Sequence, residues 1–177
     1  IVCLNMVGYG SGGRYAGRPA YDDLIQAASA IPTLLQRSTG EQRFIPMAAI
    51  DRIVGSSAAN ALLAGLLAKA RTGIGQQIEV PMFETMAQFV LYEHMQGTTF
   101  DPPTSAPGYP RTLSRTRRPY PAKDGHVAVL PYNDGQWQRF FEACGQGEML
   151  KTDKRFADIG ARTAHIDELY QLVAEQV

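Results

Sequence analysis

The residues from 52 to 71 form the most strongly helical stretch of the sequence, and they constrain the fold more than any other segment. Leucine, isoleucine and valine give this stretch its bulk, while glycine, alanine and serine keep it narrow. We predict one helix here, slim enough for another backbone or a ligand to approach closely. Lys69 and Arg71 favour its C-terminal end, and Gly73 is placed to cap it.

Strands and helices alternate around that helix. Residues 1–6 have the pattern of a buried strand, and residues 21–35 have helical spacing. Pro32 predicts a break or kink in this first helix near residue 31, because proline cannot donate a backbone hydrogen bond. A strand at 76–80 follows the long helix, and Pro81 opens a third helix. This order is typical of the α/β class.

The composition changes after residue 98. Six of the eleven prolines lie between Asp101 and Pro121, together with four arginines at positions 111, 115, 117 and 118. We interpret residues 99–119 as a Pro/Arg-rich linker whose basic side chains face solvent or phosphate. The expected organisation is therefore one domain at 1–98, this linker, and a second, smaller domain at 120–177.

The predicted small domain has clear local signals. Asp124-Gly125, between alternating apolar residues, predicts a β-hairpin with both residues at positive φ. Asn133 and Gln136 form the pattern of a capping box at a helix start. The aromatic residues that follow are expected to anchor a core, as is one face of a last helix that begins near Thr163. These core candidates are Trp137, Phe140, Phe141, Ile166, Leu169, Tyr170 and Val173.

Charge and composition exclude several functional classes. Seventeen basic residues balance seventeen acidic ones, so neither nucleic acid nor a membrane surface is an expected partner. We expect no membrane span, because no run approaches the roughly 20 apolar residues that a span needs, and we expect no signal peptide. Cys3 and Cys144 are expected to be free thiols in the reducing cytoplasm. The three histidines are scattered and predict no metal site.

Asp51 is the most informative single residue, because it directly precedes the predicted long helix. A carboxylate at this place can be an N-cap that accepts a hydrogen bond from a backbone N–H group. It can also be a nucleophile, since the positive end of the helix dipole favours the ionised form. Local pattern alone leaves both hypotheses open and favours the cap.

A glycine-rich segment follows the first strand, with Gly10 in the middle of it. The segment could hold a phosphate group, but the full dinucleotide-binding spacing is absent, and a flexible connector is the other interpretation. Arg14 and Arg18 lie just after it and could contact phosphates or a carboxylate. They could equally be ordinary surface arginines.

Four stretches of the sequence, in the same order, resemble CoA-transferase family III, also called the CaiB/BaiF family. They cover nearly the whole chain. The matching residues include Gly8, Tyr15, Arg18, Tyr21, Asp22 and Gln26; Asp51, Arg71, Gly73, Gly75 and Gln76; Lys123, Asp124 and Gly125; and Asp153, Arg155, Phe156, Arg162 and Leu169.

The resemblance implies a role for Asp51, as the nucleophile that attacks an acyl-CoA thioester and forms a mixed anhydride. CoA and an acceptor carboxylic acid would then exchange through an enzyme–CoA thioester. Tyr21 and Asp22 match the transferase pattern. The racemases of the family carry histidine where this chain has Tyr21, and tyrosine is a poor base near neutral pH. Racemase-type proton transfer is therefore the weaker alternative.

The resemblance also implies acyl-CoA and carboxylic acid as substrates, with Gly10, Arg14 and Arg18 as candidate CoA contacts. Family members are more than twice this length and assemble as interlocked subunits. The resemblance implies that residues 1–98 are part of a Rossmann-like large domain and that residues 120–177 are the start of a smaller α+β domain. The chain opens inside a predicted strand without an initiator methionine, so we expect a fragment that forms a homo-oligomer. A non-catalytic relative that only binds its ligand is the remaining alternative.

Overall fold

The structure is a computed structural model that describes all residues from 1 to 177. It is a mixed helix-and-sheet protein, mostly helical, and it divides into two compact units. Unit 1 comprises residues 1–36 and 41–108, and unit 2 comprises residues 37–40 and 109–177.

Unit 1 contains two strands and four α-helices. These are β1 (Val2–Val7), α1 (Asp22–Ala28), α2 (Ile31–Thr39, whose last residues belong to unit 2), α3 (Ala49–Thr72), β2 (Gln76–Pro81) and α4 (Met82–His94), followed by a 3-10 turn at Gln96–Thr99. Strands β1 and β2 pair in parallel from Val2 opposite Gln76 to Val7 opposite Pro81. The chain between them includes α3, so the unit is built around a strand–helix–strand crossover, which parallel pairing requires.

The narrowness of α3 allows it to pack closely on this sheet. A Cβ atom added at Gly65 would lie 2.6 Å from Ile78 Cδ1 and 3.1 Å from Val2 Cγ1. Only glycine fits there without a shift of the neighbouring side chains. The helix ends at Gly73, which has a φ of 74° and donates its N–H to Lys69 O, so the predicted C-cap is confirmed.

The core of unit 1 lies between the first half of α3 and helices α1 and α4. Its buried apolar residues are Ile25, Ile31, Ile50, Val54, Ala58, Val80 and Met86. The expected break in the first helix is confirmed, because α1 ends at Ala28 and α2 begins at Ile31. Ala30 between them has a φ of 65°. Pro32 falls in the first turn of α2, where no intrahelical N–H is needed.

The expectation that no segment is long and apolar enough to span a membrane is wrong for α3. Its 24 residues are long and apolar enough to cross a bilayer, by length and composition only. A core helix of a soluble protein passes the same test, so this is weak evidence for a span. In unit 1, α3 packs against β1, β2, α1 and α4, and 17% of its apolar window is buried.

Unit 2 contains one hairpin and five short or medium α-helices. These are α5 (Pro110–Leu113), β3 (Tyr120–Ala122), β4 (Gly125–Val127), α6 (Asp134–Ala143), α7 (Met149–Thr152), a 3-10 turn at Lys154–Phe156, α8 (Ile159–Ala164) and α9 (Ile166–Gln176). The predicted core is confirmed, since Trp137, Phe141, Leu169, Tyr170 and Val173 are all at most 1% exposed. Phe140 packs against this core while partly buried.

The hairpin is confirmed, but its turn differs from the prediction. Ala122 pairs with Gly125, so the two turn residues are Lys123 and Asp124. Neither Asp124 nor Gly125 has a positive φ. The capping box at α6 is confirmed, because Asn133 Oδ1 accepts from Gln136 N and Gln136 Oε1 accepts from Asn133 N.

The proline-rich segment is divided between the two units. On the unit 1 side, Thr104 N donates to Gly97 O and Gly108 N donates to His94 O. On the unit 2 side, Arg111 Nε donates to the hydroxyl of Tyr170. The residues expected to form a linker at 99–119 therefore make hydrogen bonds inside the compact units.

Candidate active site

Asp51 lies in the first turn of α3, which begins two residues before it. The N-cap position belongs to Ala48, which has no side chain able to cap. The hypothesis that Asp51 is the N-cap is therefore wrong. Its side chain is exposed, and its carboxylate makes no hydrogen bond or ion pair within the structure.

The cap of α3 comes from Asp22 instead. Asp22 Oδ2 accepts a hydrogen bond of 3.0 Å from the backbone N–H of Asp51. The other oxygen, Oδ1, accepts a 2.6 Å hydrogen bond from Nε2 of Gln26, one turn along α1. The structure thus brings two of the predicted site residues, Asp22 and Asp51, together at the start of one helix.

Gln26 matches the family pattern, but the sequence analysis gave it no role. It is fully buried, and its Oε1 accepts a 2.8 Å hydrogen bond from Ile45 N. The amide therefore links the segment before α3 to Asp22, and every polar atom of the Gln26 side chain has a partner. A glutamine four residues after Asp22 on the apolar face of a helix was the available signal.

Tyr21 is the residue immediately before α1. Its backbone is extended, its carbonyl accepts from Ile25 N, and its side chain is 73% exposed. The phenol makes no hydrogen bond within the structure. No hydrogen bond or ion pair joins Tyr21 to Asp51, and the hydrogen bond to Asp51 N comes from Asp22, the neighbour of Tyr21 in the sequence.

The glycine-rich segment is ordered by two carboxylates of this chain. Gly10 N donates to Glu84 Oε1 at 3.0 Å, and Ser11 N donates to Glu79 Oε1 at 2.9 Å. These two amide groups are therefore engaged and do not form an open phosphate cradle here. The sequence analysis did not predict either glutamate contact.

The two candidate arginines differ in their surroundings. The guanidinium of Arg18 lies 4.7 Å from the centre of the Tyr15 ring, a cation–π arrangement. Arg14 is exposed and makes no hydrogen bond or ion pair. Arg18 also borders a cavity of about 560 Å³ in unit 1, together with Tyr9, Tyr15 and Phe83.

Unit 2 has a cavity of similar size, about 500 Å³, beside Asp134 and Arg162. There the arginine is already neutralised, because Arg162 Nη2 lies 2.6 Å from Asp134 Oδ1 and its side chain is only 7% exposed. The unit 1 cavity has a cation without an acidic partner, and we favour it for an anionic ligand.

The chemistry available at Asp51 follows from this geometry. The carboxylate is accessible, uncommitted, and placed where the dipole of a 24-residue helix favours negative charge. Such a group can attack an electrophilic carbonyl carbon. The structure contains no group of three or more His, Cys, Asp or Glu side chains placed to hold a metal ion.

Comparison with known proteins agrees with the sequence pattern. The sequence profile of CoA-transferase family III matches residues 1–177. This chain belongs to CoA-transferase family III.

Named relatives of the chain are CoA-transferases. It is 25% identical over 180 residues to a protein of Mycobacterium tuberculosis named probable fatty acyl-CoA transferase, covering 96% of this chain and 45% of that protein. It is 24% identical over 176 residues to succinate–glutarate CoA-transferase of Agrobacterium fabrum, covering 99% and 44%. The chain thus spans less than half the length of these curated relatives.

Solved structures agree at the level of the fold. A CaiB/BaiF family protein from Brucella suis superposes with a TM-score of 0.67 at 29% identity, over 99% of this chain and 46% of that protein. A protein from Mycobacterium tuberculosis superposes with a TM-score of 0.77 at 21% identity, over 99% and 46%. The arrangement of helices and strands is therefore that of the CaiB/BaiF proteins.

Proposed function

We propose that this chain carries the nucleophile of a CoA-transferase that moves CoA between an acyl-CoA and a carboxylic acid. The observation that carries the proposal is the state of Asp51, whose carboxylate is exposed and unpaired at the start of α3 while Asp22 caps that helix. A structural carboxylate would satisfy the free backbone N–H groups itself. Here a second residue performs that task and leaves Asp51 available for reaction.

The proposed reaction begins with attack of an Asp51 carboxylate oxygen on the thioester carbonyl carbon. The carbon–sulfur bond breaks, CoA thiolate leaves, and an aspartyl–acyl anhydride remains. The thiolate then attacks the aspartyl carbonyl of this anhydride, which releases the original acyl group as a free carboxylate. The product is an Asp51–CoA thioester.

The second half of the reaction reverses these steps with another acid. The acceptor carboxylate attacks the Asp51–CoA thioester, CoA thiolate leaves, and a new anhydride forms. The thiolate attacks the acceptor carbonyl of the new anhydride, and the ionised Asp51 is restored. Water must be kept away during this cycle, since hydrolysis of either intermediate would discard the activation of the acyl group.

The neighbouring residues have supporting roles in this proposal. Asp22 fixes the start of α3 through the Asp51 N–H. The exposed hydroxyl of Tyr21 is available to donate a hydrogen bond to the substrate carbonyl, and no histidine is present there for racemase-type proton transfer. Arg14 and Arg18 supply positive charge for CoA phosphates, and Gly10 allows the close approach of the loop to its neighbours.

We also propose that the chain works as part of a longer, homo-oligomeric cytoplasmic protein. Large apolar side chains on α3 support an interface, since Leu63 and Leu67 are 64% and 62% exposed. Two free cysteines agree with a reducing compartment. Size-exclusion chromatography with light scattering tests the assembly, and a mass equal to one chain at micromolar concentration would contradict it.

A transfer assay tests the proposed reaction. The chain is incubated with acyl-CoAs and carboxylic acids, and new acyl-CoA products are identified by liquid chromatography and mass spectrometry. We expect product with the wild type and with Asp23→Asn, an exposed neighbour, and none with Asp51→Asn. Binding of CoA without any product, in a folded chain, would instead support the non-catalytic relative.

A further inference from the structure

Two carboxylates from one end of unit 1 hold the glycine-rich loop. Glu79, on β2, and Glu84, in the first turn of α4, accept the hydrogen bonds from Ser11 N and Gly10 N described above. The Phe83 N–H, beside Glu84, donates to Gly8 O at 3.0 Å. Three groups of the β2–α4 junction thus form hydrogen bonds with Gly8, Gly10 and Ser11 of the loop.

The two glutamates have no other role in the structure that would explain their position. Neither forms an ion pair with a lysine or arginine, and neither caps α4. Charge-assisted bonds to amide groups are stronger than neutral ones. A Cβ atom added at Gly10 would lie 2.9 Å from Glu84 Oε1 and 3.9 Å from Glu79 Oε1, so glycine lets both carboxylates approach.

Three backbone hydrogen bonds connect the part of the loop that the glutamates bind to Arg18. Gly13 N donates to Gly10 O at 2.9 Å, Ala16 N donates to Gly13 O at 3.1 Å, and Arg18 N donates to Tyr15 O at 3.0 Å. Each turn fixes the residue three places further on. The position of Arg18 therefore depends on where the carboxylates hold Gly10.

The two ends of the loop meet just before the candidate catalytic residues. A Cβ atom added at Gly8 would lie only 2.2 Å from the Cβ of Ala20, which an alanine side chain cannot relieve by rotating. Ala20 directly precedes Tyr21 and Asp22. The first and last residues of the loop from Gly8 to Ala20 therefore lie side by side. The glutamates bind the loop just after Gly8, and Tyr21 and Asp22 follow directly after Ala20.

The loop supplies most of the wall of the unit 1 cavity. The Tyr9 ring lies 5.5 Å from the Tyr15 ring and 5.6 Å from the Phe83 ring, measured between centres. With Arg18 over Tyr15, the cavity combines three aromatic rings and one cation without an acidic partner. This combination fits an anion that carries a flat or apolar part.

We infer that Glu79 and Glu84 are positioning residues that hold the loop from Gly8 to Ala20, so that Arg18 and the aromatic rings form a site for such an anion. The inference rests on the proposed function, which makes the anion CoA. The glutamates act through the loop and not by contact with the ligand.

The test compares four variants of the full chain with the wild type. Glu84→Ala and Glu79→Ala each remove one acceptor, whereas Glu84→Gln keeps an acceptor oxygen without the charge. Glu93→Ala is the matched control, because Glu93 is an exposed glutamate near the other end of α4 that does not contact the loop. Hydrogen exchange over residues 8–20 and over α3 is measured by mass spectrometry, and CoA affinity by calorimetry.

We expect the alanine variants to exchange faster over 8–20 but not over α3, and to bind CoA about tenfold more weakly. Glu84→Gln should recover most of both properties, and Glu93→Ala should change neither. Faster loop exchange with unchanged CoA affinity would overturn the inference while leaving the proposed function intact, as would unchanged exchange. A wild-type chain that fails to bind CoA would contradict the proposed function, and hydrogen exchange would still decide whether the glutamates hold the loop.

Discussion

Units 1 and 2 differ in how several of their acidic residues are bonded. In unit 2 three carboxylates pair with arginines: Asp134 binds Arg162, and Asp153 and Glu168 both bind Arg155. In unit 1, Asp22, Glu79 and Glu84 accept backbone N–H groups, and the Asp51 carboxylate has no hydrogen-bond or ion-pair partner. Paired charges serve stability, whereas an unpaired carboxylate held by its surroundings remains available for chemistry.

The largest effect is expected at Asp51. Asp51→Asn should reduce CoA transfer by at least about a thousandfold, because the nucleophile is lost. The unfolding temperature should stay almost the same, since the Asp51 carboxylate touches nothing and its backbone N–H remains for Asp22. Activity and circular dichroism on the same preparation check this. A large loss of stability would show that Asp51 is structural and would remove the contrast between the units.

Alanine substitutions at two leucines, one in each unit, compare the free energy of unfolding lost at a buried and at an exposed position. Leu169 in unit 2 is completely buried, so Leu169→Ala should lower the free energy of unfolding by about 3 kcal/mol. Leu66 on α3 is 47% exposed, and Leu66→Ala should cost less than about 1 kcal/mol in the isolated chain. Urea unfolding measures both. An equal cost at Leu66 would mean that the exposed face of α3 is covered in solution.

Asp22 should have a smaller effect on stability. Asp22→Ala removes the cap of α3 and leaves Nε2 of buried Gln26 without its acceptor, at a cost of about 1–2 kcal/mol. Asp22→Asn keeps one acceptor oxygen and should cost about half as much. Thermal unfolding by circular dichroism distinguishes the two. If Asp22→Ala unfolds like the wild type, the carboxylate does not cap α3.

The smallest effect concerns acid sensitivity in unit 2. Hydrogen bonds from the Arg155 side chain hold the pKa of Asp153 below its usual value. The folded state therefore binds fewer protons than the unfolded state, and the stability from this pair is present above about pH 4 and lost as the pH falls through the folded pKa. Urea midpoints from the fluorescence of Trp137, the only tryptophan, should fall over that range.

Asp153→Asn is the control for this acid effect. The variant cannot lose a proton at this position, so its midpoint should depend less on pH between about pH 5 and pH 2. A wild type and variant with parallel pH profiles would show that Asp153 contributes nothing to the acid response of unit 2.

Local features of the fold were predictable from the sequence because their causes are local. The Gly73 cap, the break near Pro32 and the capping box at Asn133 all depend on residues within one or two turns. The core around Trp137 joins distant segments, but the apolar spacing along each helix marked its members in the sequence. The hairpin was predicted, but its turn adopted other backbone angles, because the strand pairing placed Gly125 in the ladder and not in the turn.

The candidate site was less predictable, because its contacts join distant parts of the chain. Asp22 caps a helix start 29 residues away, and Glu84 holds a glycine 74 residues away. No local pattern marks such pairs. The sequence indicated Asp51 and Asp22 individually. Only the structure shows that Asp22 caps α3, which leaves the Asp51 carboxylate without that task.

Hydroxylamine trapping tests the central claim most directly. The chain is incubated with acyl-CoA and hydroxylamine, which converts an activated aspartate into a stable hydroxamate, and peptides are analysed by mass spectrometry. The account predicts a hydroxamate at Asp51 that requires acyl-CoA and is absent in Asp51→Asn. A folded chain that binds acyl-CoA yet forms no hydroxamate at Asp51, or forms one at another carboxylate, would contradict it.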